Sequence, residues 1–413
     1  MGDVSPAAAR AESRVRLISG VGIVLGLALR LALPFLLPLG DQVRFRLQGL
    51  NDEPAHFRYV EYVATRHALP VQRHRFEEPG AFARADFEFH QPPLYYMLGA
   101  GLYEIAGPRR ARLACRLFSA LCGVLTLGLA WRVLRTSPLP PLVAWPAMLF
   151  ASAWLTHAYF CAVVSNDALS WLLASWVVAT LWARPESKPS VGRGLALAIA
   201  LGLSLLTKAT LAVFLPVVAV LCLWESIRDR SFRPLLEGTA VLIVACLIAS
   251  PWYLRNHAVY GSLFGLELGG GAEPYAGRIP PWAALLASTN KYFWFPMQHV
   301  AVSTASRALR AVGLALLAAH LLAAAVYLLR RRASDVREIH LAIVLALMAV
   351  AYGLRNLLWF APEARFLLPA FVPIVYGIAA GAWTMSRMAR LPSFACLDLA
   401  VLALLPFAYF GLV

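Results

Sequence analysis

Long apolar runs separated by short polar stretches dominate this chain, and the lengths of those runs set its architecture. A helix crosses the hydrocarbon core of a bilayer with about 20 mostly apolar residues. Eleven segments are read as spans on that basis: 17–38, 111–133, 141–160, 168–183, 194–207, 209–226, 235–254, 306–329, 339–356, 366–385 and 394–413. The fold class expected is therefore an all-α polytopic membrane protein. Two placements need an argument. The segment "PPLYYMLGAGLYEIA" (92–106) is short for a span and carries Glu104. As a span it would invert every later loop, so it is expected along the outer interface, where tyrosines are favoured. The stretch 194–226 is too long for one span and is divided at "LLTKATL", with Lys208 at the outer turn.

The arginines support this order. Taking Arg10, Arg14 and Arg16 as cytoplasmic, alternate connections carry Arg132 and Arg135; Arg184, Lys188 and Arg193; Arg228, Arg230 and Arg233; Arg330, Arg331, Arg332 and Arg337; and Arg387 with Arg390. That is the positive-inside pattern. The N-terminal run is expected to be a retained first span, since no small-residue cleavage site follows it.

Composition agrees with a membrane protein: 60% of the 413 residues are hydrophobic and 14% charged, against about 25% charged in soluble domains. The net charge of +15 follows from the basic inner loops, so no nucleic-acid partner is inferred. The six cysteines lie in apolar runs without any C-x-x-C spacing, which supports neither a disulfide framework nor a thiolate metal site. Residues 41–90 differ from the rest, with seven arginines against eight acidic residues. A polar connection of that length tends to be functional. The expectation is one membrane-embedded unit over 1–413, with 41–110 forming a first extracytoplasmic loop that contains juxtamembrane helices.

With that topology a set of polar groups collects on the outer face: Asp52, Glu53 and His56; Glu88, His90 and Gln91; Asn166 and Asp167; Lys208; Arg255, Asn256 and His257; Glu363 and Arg365. Ionisable groups at membrane depth are costly and mark functional paths. Each has a plainer role available. Asp52 and Asp167 suit helix N-caps, Lys208 a snorkelling anchor, and Arg365 a pairing with Glu363. His56 and His90 suit ordinary interfacial histidines, or metal ligands. The run "KYFWFP" (291–296) suits an interfacial belt or a lipid-facing surface.

At "NDEPAHFRYV" and "FEFHQPPLYYML" the chain resembles the GT-C class glycosyltransferases, in the branch of protein O-mannosyltransferases and lipid A aminoarabinose transferases. "SNDAL", "LLTKAT", "PWYLRNHAVYG" and "ARFLLPAFVP" follow in the family's order. The resemblance implies a GT-C fold in a bacterial or archaeal inner membrane. It also implies a polyprenyl-phosphate sugar as donor and an acceptor hydroxyl on a lipid, glycan or protein, with transfer on the extracytoplasmic side. On it, Asp52 is the catalytic base with Glu53 beside it, and Asp167 lies near the acceptor or the base. Lys208 and Arg365 become donor-phosphate ligands, with Arg255 as a further cation. Some relatives carry Glu-Lys before Pro-Pro, where this chain has His90 and Gln91. Gln91 would contact the donor phosphate by a hydrogen bond without charge; His90 and His56 stand as candidate metal ligands from their own chemistry, and the requirement for a divalent cation is left open. The chain is expected to lack the soluble C-terminal domain of some relatives.

Two other functions would leave different patterns in the sequence. A transporter or flippase of lipid-linked sugars would spread ionisable residues through the middle of several spans, whereas here they are expected at one end. A polysaccharide polymerase or ligase would centre on a long loop late in the chain.

Overall fold

In lipid a backbone amide has only other backbone groups to bond, so the apolar runs fold as helices. The computed structural model describes residues 6–37, 52–74, 85–183, 190–265, 268, 282–294, 304–330, 335–358, 362–391 and 393–410, and among these no strand occurs. The helices are α1 (Pro6–Leu36), α2 (Glu53–Arg66), α3 (Leu94–Ala106), α4 (Ala111–Arg135), α5 (Pro141–Ala153), α6 (Leu155–Phe160), α7 (Asn166–Trp182) and α8 (Val191–Leu205). A 3-10 segment, Ala209–Val213, leads into α9 (Phe214–Arg228), followed by α10 (Arg233–Tyr260), α11 (Trp282–Trp294), α12 (Thr304–Arg330) and α13 (Val336–Leu358). A second 3-10 segment, Ala364–Ala370, leads into α14 (Phe371–Met388), and α15 is Phe394–Phe410. Arg184, Lys188, Arg331, Arg332 and the loop stretches 38–51 and 75–84 lie outside the described residues.

Seven of the eleven expected spans correspond to helices long and apolar enough to cross a membrane. The other four are shorter, for local reasons. The segment 141–160 is not one helix, because Trp154 takes an extended conformation (φ −64°, ψ 103°) between α5 and α6. Arg30 of α1 compensates for that break. Its guanidinium donates to the carbonyls of Ala151 (2.9 Å) and Ser152 (3.0 Å), which have lost their helical partners. Helix α7 has 17 residues, nearly all buried, so it is surrounded by protein more than by lipid. The chain between α8 and α9 turns at Lys208, which is extended (φ −153°, ψ 126°), as the division at "LLTKATL" expects. The short 92–106 segment is the 13-residue α3, packed on α2 and α4.

Helix α14 is the centre of the bundle, with 83% of its apolar window buried against 17% for α1. Gly381 makes its approach to α12 possible, since a Cβ there would strike the His320 carbonyl. Helix α11 was not expected, and it changes one reading. Phe293 and Trp294 of "KYFWFP" are buried rather than lipid-facing, and Trp154 and Thr156 donate to the Phe293 and Tyr292 carbonyls at 2.7 and 2.8 Å.

Buried ionisable groups also occur away from Asp52, Asp167, Lys208 and Arg365, contrary to the expectation that they gather at one end. His320 meets Asp398 at 2.7 Å, His340 meets Glu225 at 3.0 Å, and Glu338 accepts from the hydroxyls of Tyr327 and Tyr376. Each carboxylate has a protein partner, as burial of charge requires.

The buried pair with the largest structural consequence is Glu53 with Arg116. Arg116 Nε and an Nη both donate to the Glu53 carboxylate at 2.6 Å, and the second Nη donates to the Leu37 carbonyl at 2.9 Å. This ties the end of α1 and the start of α2 to α4. Replacing Arg116 by Leu strands a buried carboxylate, a change that costs about 3–5 kcal/mol. Thermal unfolding of the purified variant is expected to shift down accordingly; an unchanged midpoint would show that the pair contributes nothing.

Candidate active site

The starts of α2 and α7, the end of α8 and the 3-10 segment before α14 converge, and four charged side chains from them meet. Asp52 precedes α2, and its carbonyl accepts from the amides of Ala55 and His56, both at 3.0 Å. Its carboxylate does not cap the helix and instead accepts from Arg365 Nη2 at 3.1 Å. Asp167 opens α7, yet the cap of that helix is Ser165, whose hydroxyl accepts from the Asp167 amide at 3.2 Å. The Asp167 carboxylate is thereby left for the cations. It accepts from Lys208 Nζ at 2.5 Å and lies 3.6 Å from Arg365 Nη1. Arg365 also lies 2.6 Å from Glu363 through Nε. One guanidinium thus joins Asp52, Asp167 and Glu363, residues from three distant parts of the chain.

Several expected members have other work. Glu53 does not stand beside Asp52 as a second base. Besides Arg116 it accepts from the Val164 amide at 3.0 Å, which fixes the turn that carries Asp167. The Tyr95 hydroxyl, accepting from the Ser165 amide at 3.2 Å, holds the same turn. Arg255 is not brought to the cluster: it donates to the Pro70 carbonyl at 2.6 Å and stacks on Trp252, so it clamps the first loop. Gln91 lies 3.5 Å from the Asn166 amide group and 3.3 Å from His90 Nε2. His90 is held by Gln72 at 2.9 Å and the Phe87 carbonyl at 3.1 Å.

The carboxylate that does face Asp52 is Glu88. Asp52, His56 and Glu88 each offer a ligand atom within 4.8 Å of the others, a spacing suited to a cation; His90 is not in this group. The Glu88 Oε2 atom is buried with no hydrogen-bond partner, which is how a carboxylate awaiting a cation or holding a proton would stand. Burial, and then the neighbouring Asp52, push the Glu88 carboxyl up to about 8. Burial lowers the His56 imidazole to about 4, so it is neutral near pH 7 and able to ligate; its Nδ1 lies 2.7 Å from the Tyr96 hydroxyl. In the metal-free protein a protonated-carboxyl infrared band is therefore expected at pH 7, lost as pH rises through about 8 and absent from Glu88→Gln. A band unchanged by that substitution would contradict the assignment.

Two further side chains, Arg355 and Phe366, lie at this cluster. The guanidinium of Arg355, near the end of α13, lies 3.6 Å from the centroid of the Phe366 ring. Arg365 and Lys208 lie 5.1 and 5.5 Å from the same ring. A signal existed for Arg355: it is an arginine at the end of a span that the arginine alternation expects to face outward, where the positive-inside bias expects few.

The backbone has the fold of the membrane-embedded GT-C glycosyltransferases. It is similar to ArnT from Cupriavidus metallidurans bound to undecaprenyl phosphate, at 15% identity and TM-score 0.56, covering 89% of this chain and 60% of that one. It is also similar to the apo oligosaccharyltransferase of Archaeoglobus fulgidus, at 14% identity and TM-score 0.57, covering 95% and 56%. Residues 90–254 match the family model described as dolichyl-phosphate-mannose-protein mannosyltransferase. Two curated relatives are undecaprenyl phosphate-alpha-4-amino-4-deoxy-L-arabinose arabinosyl transferases. The one from Erwinia tasmaniensis is 34% identical over 112 residues, covering 26% of this chain and 20% of the relative. The one from Pectobacterium atrosepticum is 30% identical over 156 residues, covering 36% and 26%. The chain thus spans a minor part of those relatives' length, and the resemblance read from the sequence holds at the level of the fold and of the matched segment.

Proposed function

We propose that this protein is an integral-membrane glycosyltransferase that moves a sugar from a polyprenyl-phosphate donor to an acceptor hydroxyl at the extracytoplasmic membrane surface. The supporting observation is the bridging of Asp52 and Asp167 by Arg365, with Lys208 on Asp167. That convergence supports reading Asp52 as a base and Lys208 and Arg365 as phosphate-binding cations of one site.

The chemistry follows from charge. As the bond between the anomeric carbon and the phosphate oxygen breaks, its electron pair stays on the phosphate. Near a low-dielectric boundary that added charge is stabilised only by cations already in position. Lys208 and Arg365 are those cations, and the planar guanidinium suits two phosphate oxygens. The acceptor oxygen attacks from the opposite side of the sugar while Asp52 takes its proton, giving one inverting displacement without a sugar–enzyme intermediate. Without donor, Arg365 is satisfied by carboxylates and holds Asp52. An arriving phosphate competes for that guanidinium and releases Asp52 as a base. Glu53, bound by Arg116, acts as a positioning group for the Asp167 turn.

Asp52, His56 and Glu88 fit a divalent cation, which when bound would supply positive charge beside the donor phosphate. Manganese binding followed by electron paramagnetic resonance is expected for the wild type and lost in Glu88→Gln and His56→Ala. Equal binding in all three would remove the cation from this site. The activity itself is tested by incubating purified protein and acceptor membranes with labelled polyprenyl-phosphate sugars: label should pass to a new product, and its retention on every donor would overturn the reading. The curated relatives, named as 4-amino-4-deoxy-L-arabinose transferases, make an aminopentose donor the first to try.

A further inference from the structure

The cations of the site repel one another, and one side chain lies close to all of them. Phe366 sits on the 3-10 segment before α14, half-buried. Arg355 is stacked 3.6 Å from its ring centroid, while Arg365 and Lys208 lie at 5.1 and 5.5 Å. All three are within the roughly 6 Å over which a ring quadrupole attracts a cation. These cations come from three elements: the outer turn after α8, the end of α13 and the 3-10 segment itself. Carboxylates draw them in as well: Lys208 bonds Asp167, Arg365 is spread over Asp52, Asp167 and Glu363, and Glu363 and Asp167 lie near enough to Arg355 to attract it. The ring is the uncharged group common to all three.

A phosphate entering the site would take hydrogen bonds that those carboxylates now hold. The ring's attraction is different in kind, since it does not use the N–H groups and persists when they turn to phosphate. We infer that Phe366 is a positioning residue: its aromatic face holds Lys208, Arg355 and Arg365 together as one cationic cradle for the donor phosphate, with Arg355 as the third cation of that cradle. The inference rests on the glycosyltransferase reading of the site and adds to it both Arg355 and the means by which like charges are kept together.

The test replaces Phe366 by phenylalanine analogues of increasing ring fluorination. These nearly preserve shape while progressively weakening the quadrupole. Binding of sugar-free polyprenyl phosphate to the purified full chain is the readout. Affinity is expected to fall stepwise with each fluorine, reaching about tenfold at three, as the loss of more than one cation–π contact implies. Phe366→Leu should lose about as much and Phe366→Tyr should retain wild-type affinity, with unfolding temperature recorded for each. Affinity that is flat across the fluorinated series would overturn the inference while leaving the donor site standing. Failure of the wild type to bind polyprenyl phosphate at all would remove the donor reading, and this inference with it.

Discussion

Asp52→Asn is expected to abolish sugar transfer while leaving donor binding and the fold intact. The amide is isosteric with the carboxylate and can still meet the Arg365 guanidinium through its oxygen, but it cannot accept a proton from the acceptor hydroxyl. General-base contributions are typically about 10²–10⁴-fold, so turnover should fall by about that factor. Affinity for polyprenyl phosphate should hold or rise, because one of the three carboxylates that share the Arg365 charge has become neutral. Glu53→Gln gives the contrasting result. Its carboxylate is enclosed by Arg116 and the Val164 amide, so the variant should lose stability first and activity only as the Asp167 turn loosens. If Glu53→Gln kept its stability and lost turnover as Asp52→Asn does, the assignment of base and positioning group would be reversed.

The cations give the opposite split. Arg365→Ala and Lys208→Ala should weaken polyprenyl-phosphate binding, each hydrogen bond to a charged group contributing about 1.5–3 kcal/mol, or about 10- to 100-fold in Kd. Arg365 should be the more severe of the two. Removing it also leaves Asp52, Asp167 and Glu363 without their shared partner, and the uncompensated carboxylates then repel the incoming phosphate. After Lys208→Ala, Asp167 still has Arg365. Arg365→Lys should recover only part of the loss, since an ammonium cannot bridge three groups as a planar fork does. Isothermal titration of the three variants in detergent measures this order, and equal affinity in all of them would remove both residues from the donor site.

Much of this was legible in the sequence because lipid simplifies the code. Apolar run length and arginine alternation placed Asp52, Asp167, Lys208 and Arg365 at one end of the bundle, and there they meet. What remained hidden depended on the direction of single side chains. Asp52 and Glu53 are neighbours in the chain, but successive residues at a helix start point roughly 100° apart, and only one of the two faces the cations. The partner of Glu53, Arg116, lies within the run 111–133, where nothing announces a salt bridge 63 positions away. Glu88, rather than Glu53, supplies the carboxylate beside Asp52 because the turn at 87–90 folds back under α2. The role of Phe366 could not be read at all, since an aromatic residue in an apolar run looks like packing until the cations around it are located.

The central claim is that Asp52, Asp167, Lys208 and Arg365 form one donor site. The most direct measurement is an experimental structure of the full chain with polyprenyl phosphate bound. The phosphate oxygens should lie at about 2.7–2.9 Å from Lys208 Nζ and the Arg365 guanidinium, with the Asp52–Arg365 contact opened. A phosphate found instead beside Arg255 or at the other end of the bundle, with Asp52 and Arg365 still paired, would contradict it.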